Sequence, residues 1–209
     1  MAAPGPHGPP SPYKAGDVLA GRYVVEGEIN RGATAVVYAA RDTKWPPPAW
    51  PGARGGGGGG GGGAPPPSPG PPAGRPVALK VLDCPARVPV RVVRREVALS
   101  SAVGGHPNLA ALLDVFAASK RELAIVWERV AGPDLLELLN EAGAPLGEGR
   151  AAFLAAQLLR AVDFLHRSGY AHRDVKAENA LVERGTQRLR LIDFGLSKHI
   201  QSVATLGVG

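Results

Sequence analysis

The 209-residue chain has a single cysteine, Cys84, so it cannot form an internal disulfide, and a reducing compartment is the expectation. It also lacks a run of about 18 apolar residues, and its first dozen residues are Pro/Gly-rich where a leader would be basic and then apolar. Neither a signal peptide nor a membrane span is expected, which makes a cytoplasmic or nuclear setting the default. Aromatic residues are scarce at 5%. Blocks of about five or six like charges are missing too. The net charge of +6 comes from scattered Lys and Arg side chains, which favours a solvated basic surface over a nucleic-acid or membrane partner.

What the chain has in excess is glycine and proline, Gly 29 and Pro 21. They are concentrated in the first residues and in 45–76, where proline runs flank nine consecutive glycines at 55–63. Such a composition cannot bury a core, so residues 1–21 are expected to be a disordered tail and 45–76 a flexible insertion. PxxP-type docking is a weaker reading of the same prolines than plain spacer. Doubling the length of a loop between two strands costs only about 0.6 kcal/mol, so the insertion need not disturb its flanks.

Outside these stretches the periodicity is that of a folded domain. Residues 22–28 (RYVVEGE) and 34–41 (TAVVYAAR) read as two strands, and 77–82 (VALKVL) as a buried one. Helical spacing over 90–103 places Val93, Val97 and the Ala102/Val103 pair on one side. Strands over 109–116 and 123–128 follow, then helices over 134–141 and 149–168. The second helix carries an apolar stripe of Phe153, Leu154, Leu158, Val162 and Leu165. Short strands return at 180–182 and 189–192. Strands first and helices afterwards predict an α+β protein with a sheet-rich lobe and a helical lobe.

The chemistry-bearing residues cluster in YAHRDVKAENALV (170–182) and LIDFGL (191–196). Mg²⁺ takes oxygen ligands, commonly one or two carboxylates plus substrate phosphates, and Asp193 and Asn179 have that chemistry. Asp174, five residues before Asn179, is placed to accept the proton of an attacking hydroxyl. Upstream, Lys80 stands alone in an apolar strand, and a buried ammonium requires an anion. A phosphate meets that need, and so does Glu96 on the next helix.

In these residues the chain resembles a eukaryotic-type protein kinase of the serine/threonine type. HRDVKAEN resembles the catalytic loop, DFG the magnesium motif, VALK the strand-three lysine and HPNL (106–109) the segment after the αC helix. The resemblance implies a bilobal fold, with the sheet-rich lobe complete over 22–128 and only the first part of the helical lobe over 129–209. It implies ATP and Mg²⁺ as cofactors, protein substrates and an upstream activating kinase. By the same resemblance Asp174 is the catalytic base, Asn179 and Asp193 hold the metal, and Lys80 holds the α- and β-phosphates with Glu96 as its ion-pair partner. Lys176 contacts the γ-phosphate, a serine/threonine-type feature. Ile29, Gly32, Val37, Ala78, Glu128 and Val130 line the nucleotide, with 128–131 as the hinge. His172 packs against the DFG phenylalanine, and Arg173 pairs with a phosphorylated activation segment, for which Ser197, Ser202 and Thr205 are the candidates. Cys84 has no histidine pattern beside it and reads as inert. The DFGLSK and SVATLGVG segments look like the calcium/calmodulin-kinase or sucrose-nonfermenting-related groups.

Departures from the pattern are specific. The glycine-rich loop reads INRGATAVV, with Asn30 and Ala35 at two glycine positions and only the middle one, Gly32, retained; weaker nucleotide affinity is expected. Trp127 falls at the gatekeeper position and is expected to close the pocket behind adenine, while Ser100 falls where an apolar αC residue is usual. The chain as given ends at Gly209, inside the activation segment, so a truncated kinase without phosphotransfer of its own is the expectation. The alternative is a non-catalytic regulatory module. A disordered scaffold accounts for the insertion but not for the motifs.

Overall fold

The computed structural model describes residues 13–44, 74–84, 86–143 and 145–200. The predicted disorder of 1–12, nearly all of the predicted insertion, and the candidates Ser202 and Thr205 lie outside these residues. The structure builds 13–21 into the fold where a disordered tail was expected. Strand β1 (Val18–Leu19) pairs with β2 (Tyr23–Arg31), and Tyr13 sets its ring edge-on to Tyr38 at 5.8 Å.

Six antiparallel strands form one sheet in the order β1-β2-β3-β4-β6-β5, where β3 is Ala35–Asp42, β4 Arg75–Asp83, β5 Leu112–Ser119 and β6 Glu122–Glu128. Alternation along β4 explains its two-sided burial. Val77, Leu79 and Val81 join one cluster with Tyr23, Val25, Tyr38, Ala124 and Val126, whereas Leu82 faces the other, with Ile125 and Trp127. Lys80 shares this second face. The pairing of β3 with β4 runs unbroken from Ala35↔Leu82 to Asp42↔Arg75, so the insertion opens only beyond the last rung. Arg75 and Pro76, expected inside the insertion, belong to β4. Gly74 sits at that exit because a Cβ there would lie 2.8 Å from the Asp42 carbonyl oxygen. Arg22 closes the same end, donating to both Asp42 carboxylate oxygens at 2.7 Å.

Helix α1 (Val90–Ala102) lies under the second face. Its inward residues are Val93, Glu96, Leu99 and Ser100, with Val103 just beyond. Ala102, expected on that side, is exposed, because steps of three and four residues from Glu96 lead to Leu99, Ser100 and Val103. Strand β5 begins at Leu112, later than predicted, because Leu109 leaves the sheet to form a parallel bridge with Leu191. Helix α2 (Leu135–Ala142) starts in a capping box between Asp134 and Glu137. Helix α3 (Glu148–Arg167) follows, then β7 (Tyr170–Ala171), a single 3-10 turn at Ala177–Asn179, β8 (Ala180–Val182), β9 (Leu189–Leu191) and β10 (Lys198–His199). Strand β8 pairs with β9, and β7 with β10.

The inward face of α3 differs from the predicted stripe. Leu154, Gln157, Ala161 and Leu165 are buried, while Phe153 is 50% exposed. Gln157 earns its place by hydrogen bonding: its Oε1 accepts from Asn108 Nδ2 and Leu189 N, both at 3.0 Å, and its Nε2 donates to the Gln187 carbonyl at 3.0 Å. Asn108 Nδ2 also donates to the Leu189 carbonyl at 2.8 Å. One buried amide thus joins α3, β9 and the segment before β5. Gln157→Leu keeps the volume but strands these groups, and a loss of about 2–3 kcal/mol is expected in urea denaturation. A loss below about 0.5 kcal/mol would contradict the assigned network.

Candidate active site

Lys80 comes from the middle of β4, flanked by β3 and β6 through Val37↔Lys80 and Lys80↔Ile125. Its Nζ lies 2.8 Å from Glu96 Oε1 and 2.8 Å from Asp193 Oδ1. Burial alone would lower the Lys80 pKa, but the charges of Glu96 and Asp193 outweigh it and hold it above the ordinary lysine value. Burial likewise acts to raise the Asp193 pKa, and Lys80 reverses this, aided by the Gly195 backbone N–H. Both groups are therefore charged at neutral pH. Asp193 has φ 61, and Arg173 in the catalytic loop φ 67, a left-handed backbone uncommon for non-glycine residues and often found at functional sites.

Asp174, Lys176 and Asn179 form a second group. Asn179 Nδ2 donates to the Asp174 carbonyl and to its Oδ2, both at 2.9 Å, so its Oδ1 is the atom left with acceptor capacity. Lys176 Nζ lies 3.2 Å from Asp174 Oδ2, and that hydrogen bond raises the Lys176 pKa. The Ile192 N–H donates to the Asn179 carbonyl at 2.9 Å, tying the catalytic loop to the segment carrying Asp193. Among the described residues no three His, Cys, Asp or Glu side chains converge on a metal position. One carboxylate plus one amide oxygen suits Mg²⁺, which keeps several waters and takes its remaining ligands from phosphates.

His172 is buried, its Nε2 3.0 Å from the Ile192 carbonyl, and its ring meets Phe194 edge-on at 5.3 Å. Phe194 also meets Trp127, at 5.7 Å, and Trp127 is itself buried. Ser100 is buried one turn after Glu96 and donates to the Glu96 carbonyl at 2.7 Å. Desolvation lowers the pKa of His172, and of His106, which stacks on Phe164 at 4.7 Å. Each histidine takes up its proton more readily when unfolded, so stability should fall as pH drops below about 6.5. Denaturation midpoints at pH 7.5, 6.5 and 5.5 check this; a stability that rises on acidification would contradict it.

The nucleotide-lining candidates are placed less uniformly. Val37, Ala78 and Val130 are half-buried, and Ala78 pairs with Trp127. Ile29 is 52% exposed. Gly32 donates its N–H to the Ala35 carbonyl at 2.9 Å, and a Cβ there would meet nothing closer than 3.7 Å, so this conformation does not require a glycine. Glu128 contributes more than backbone: its Oε1 accepts from Arg190 at 2.6 Å and from the Ala111 N–H at 3.0 Å. Ser197 is corrected as a modification candidate. It is 2% exposed and donates its hydroxyl to the His172 carbonyl at 3.2 Å, so a kinase cannot reach it in this conformation. Arg173 donates to the Leu196 carbonyl at 2.6 Å. Asn108 lies in the HPNL segment, whereas Gln157, Gly132 and Arg190 support the site without any motif that announces them.

Comparison with known proteins agrees with this geometry. The protein kinase domain family matches residues 71–207. CBL-interacting protein kinase 22 of Oryza sativa subsp. japonica is 36% identical over 94% of the chain and 42% of its own length. Human calcium/calmodulin-dependent protein kinase type IV is 32% identical over 88% of the chain and 33% of its length. CBL-interacting protein kinase 20 of Oryza sativa subsp. japonica is 41% identical over 60% of the chain and 28% of its length. The chain thus spans well under half of each of these relatives. It belongs to the protein kinase family, on the serine/threonine side, in the group of calcium/calmodulin-kinase-like and sucrose-nonfermenting-like enzymes.

Proposed function

We propose that the chain carries the nucleotide and phosphoryl-transfer site of an ATP- and Mg²⁺-dependent protein serine/threonine kinase, acting on protein hydroxyls in the cytoplasm or nucleus and answering to an upstream kinase. The observation that carries this reading is the joint ion pairing of Lys80 with Glu96 and Asp193, with the hydrogen-bonded Asp174–Asn179 pair tied to the Asp193 segment through the Ile192 N–H. Lys80 would hold the α- and β-phosphates, and Asp174 would orient the substrate hydroxyl and accept its proton. Lys176, charged beside Asp174, would hold the γ-phosphate. Asp193 and Asn179 would hold the metal, which when bound neutralises charge on the phosphates. Little covalent chemistry falls to the protein in such a transfer; its part is positioning and charge stabilisation.

A non-catalytic regulatory module is the second reading. It is favoured by apolar side chains left open: Leu159 of α3 at 67% and Leu196, beside the DFG segment, at 58% exposed. Isothermal titration with Mg-ATP, followed by phosphotransfer to a basic serine/threonine peptide, separates the two. Magnesium-dependent binding that Asp193→Ala weakens at least about tenfold supports the nucleotide site. Peptide phosphorylation lost in the same variant supports catalysis, and binding without phosphorylation supports the module. Absence of magnesium-dependent binding would overturn the proposal.

A further inference from the structure

Glu128 and Arg129 are neighbours where β6 passes into the segment 129–134 that leads to α2, and they carry opposite charges. Each side chain reaches a different lobe. Glu128 Oε1 meets Arg190 of β9 at 2.6 Å, with side-chain exposures of only 14% and 17%. Arg190 precedes Asp193 by three residues, and β9 is pinned at Leu191, whose N–H donates to the Asn108 carbonyl at 2.9 Å. Arg129 NH1 meets Glu26 Oε2 of β2 at 2.6 Å, and the other oxygen of Glu26 meets Arg41 at 2.6 Å. Glu26 occupies a register shift in β2, between the pairs Val25↔Ala40 and Gly27↔Ala39. A bulge re-aims its side chain, here toward two arginines at once. Three residues on, Ile29 begins the loop that lacks two of its three glycines.

We infer that Glu128 and Arg129 form a two-sided ionic latch, which sets the angle between the lobes and so positions β2 and Asp193 around one cleft. The Glu128–Arg190 side is desolvated, so losing one partner leaves a buried charge uncompensated. The Arg129–Glu26 side is one-third exposed and therefore yields to salt. The two sides differ in how they release: salt frees β2 from the segment after β6 while β9 stays attached. All four residues are positioning residues. Their relevance to nucleotide rests on the kinase reading; the latch itself does not.

Hydrogen exchange on the whole chain without nucleotide tests the latch directly. Glu26→Gln/Arg129→Gln should speed exchange at 129–132 by roughly tenfold at low salt, and the parent should approach that rate in molar salt. Arg190→Met should speed exchange at 129–132 and 189–193, with Arg190→Lys restoring most of the protection. If Arg190→Met fails to fold, Glu128→Gln/Arg190→Met removes both charges and keeps an acceptor for the Ala111 N–H. In every case the core amides of β3 and β4 should keep the parent rate, which a general loss of stability would not allow. Exchange at 129–132 within about twofold of the parent in both double variants overturns the latch. A parent chain that fails to bind Mg-ATP would sink the kinase reading and leave the exchange result to decide the latch.

Discussion

Gly132→Ala is expected to cost about 3–5 kcal/mol, the largest effect of a glycine-to-alanine change among the described residues. A Cβ built at Gly132 lies 1.9 Å from the Val182 carbonyl oxygen, 2.9 Å from its carbon and 3.1 Å from Arg184 N. These are backbone atoms, so no side-chain rotation can relieve the clash. Two hydrogen bonds hold them there, flanking the glycine: Val182 N–H to the Pro133 carbonyl and Arg184 N–H to the Ala131 carbonyl, both at 2.9 Å. Making room means breaking one or both, which detaches the segment around Gly132 from the end of β8 and unsettles the 172–179 loop just before it. Gly149→Ala is the control: it sits in α3 with nothing within 4 Å of its Cβ position. Helix propensity there predicts a gain of about 0.5–1 kcal/mol. Urea denaturation followed by circular dichroism reads both. A Gly132→Ala chain within about 1 kcal/mol of the parent would show that the approach to Val182 is not held as tightly as it looks.

Gly132 also shows where sequence reading stops. The β-branched runs of β2 to β4 announced the sheet, and Lys80 announced Glu96, because an ammonium in an apolar strand demands a nearby anion. Those signals are local, or one element apart. Gly132, by contrast, sits in a connecting segment where glycine is unremarkable; its need comes from a carbonyl 50 positions away in sequence. The same holds for α3. Apolar periodicity selected Phe153 and passed over Gln157, because no local pattern shows that β9 will bring an N–H needing an acceptor. The expectation for Ser197 failed similarly: a hydroxyl in an activation-segment sequence reads as accessible until the fold buries it against His172. Residues 13–21 read as tail because their Pro/Gly-rich neighbours dominate the composition, although Tyr13 and Leu19 have partners in the sheet.

The Lys80–Glu96 pair gives the last expectation, one that separates stability from binding. Glu96 has a side-chain exposure of 2% and Lys80 of 16%, while Asp193, the other partner of Lys80, is 47% exposed. Lys80→Met therefore leaves Asp193 with water but Glu96 with a buried, uncompensated charge. Breaking a buried pair this way costs about 3–5 kcal/mol. Replacing both partners with apolar residues of similar volume is often neutral. Lys80→Met/Glu96→Leu is thus expected to recover most of the stability lost in Lys80→Met, in spite of carrying one substitution more. Mg-ATP binding should be lost in both, because neither retains the cation proposed to hold the phosphates. Thermal or urea denaturation of the parent and the two variants, beside nucleotide titration, reads the outcome. A double variant no more stable than Lys80→Met would mean that the buried carboxylate of Glu96 is not what Lys80 compensates. Restored stability with absent binding would assign Lys80 two separable tasks, holding α1 against the sheet and holding the nucleotide.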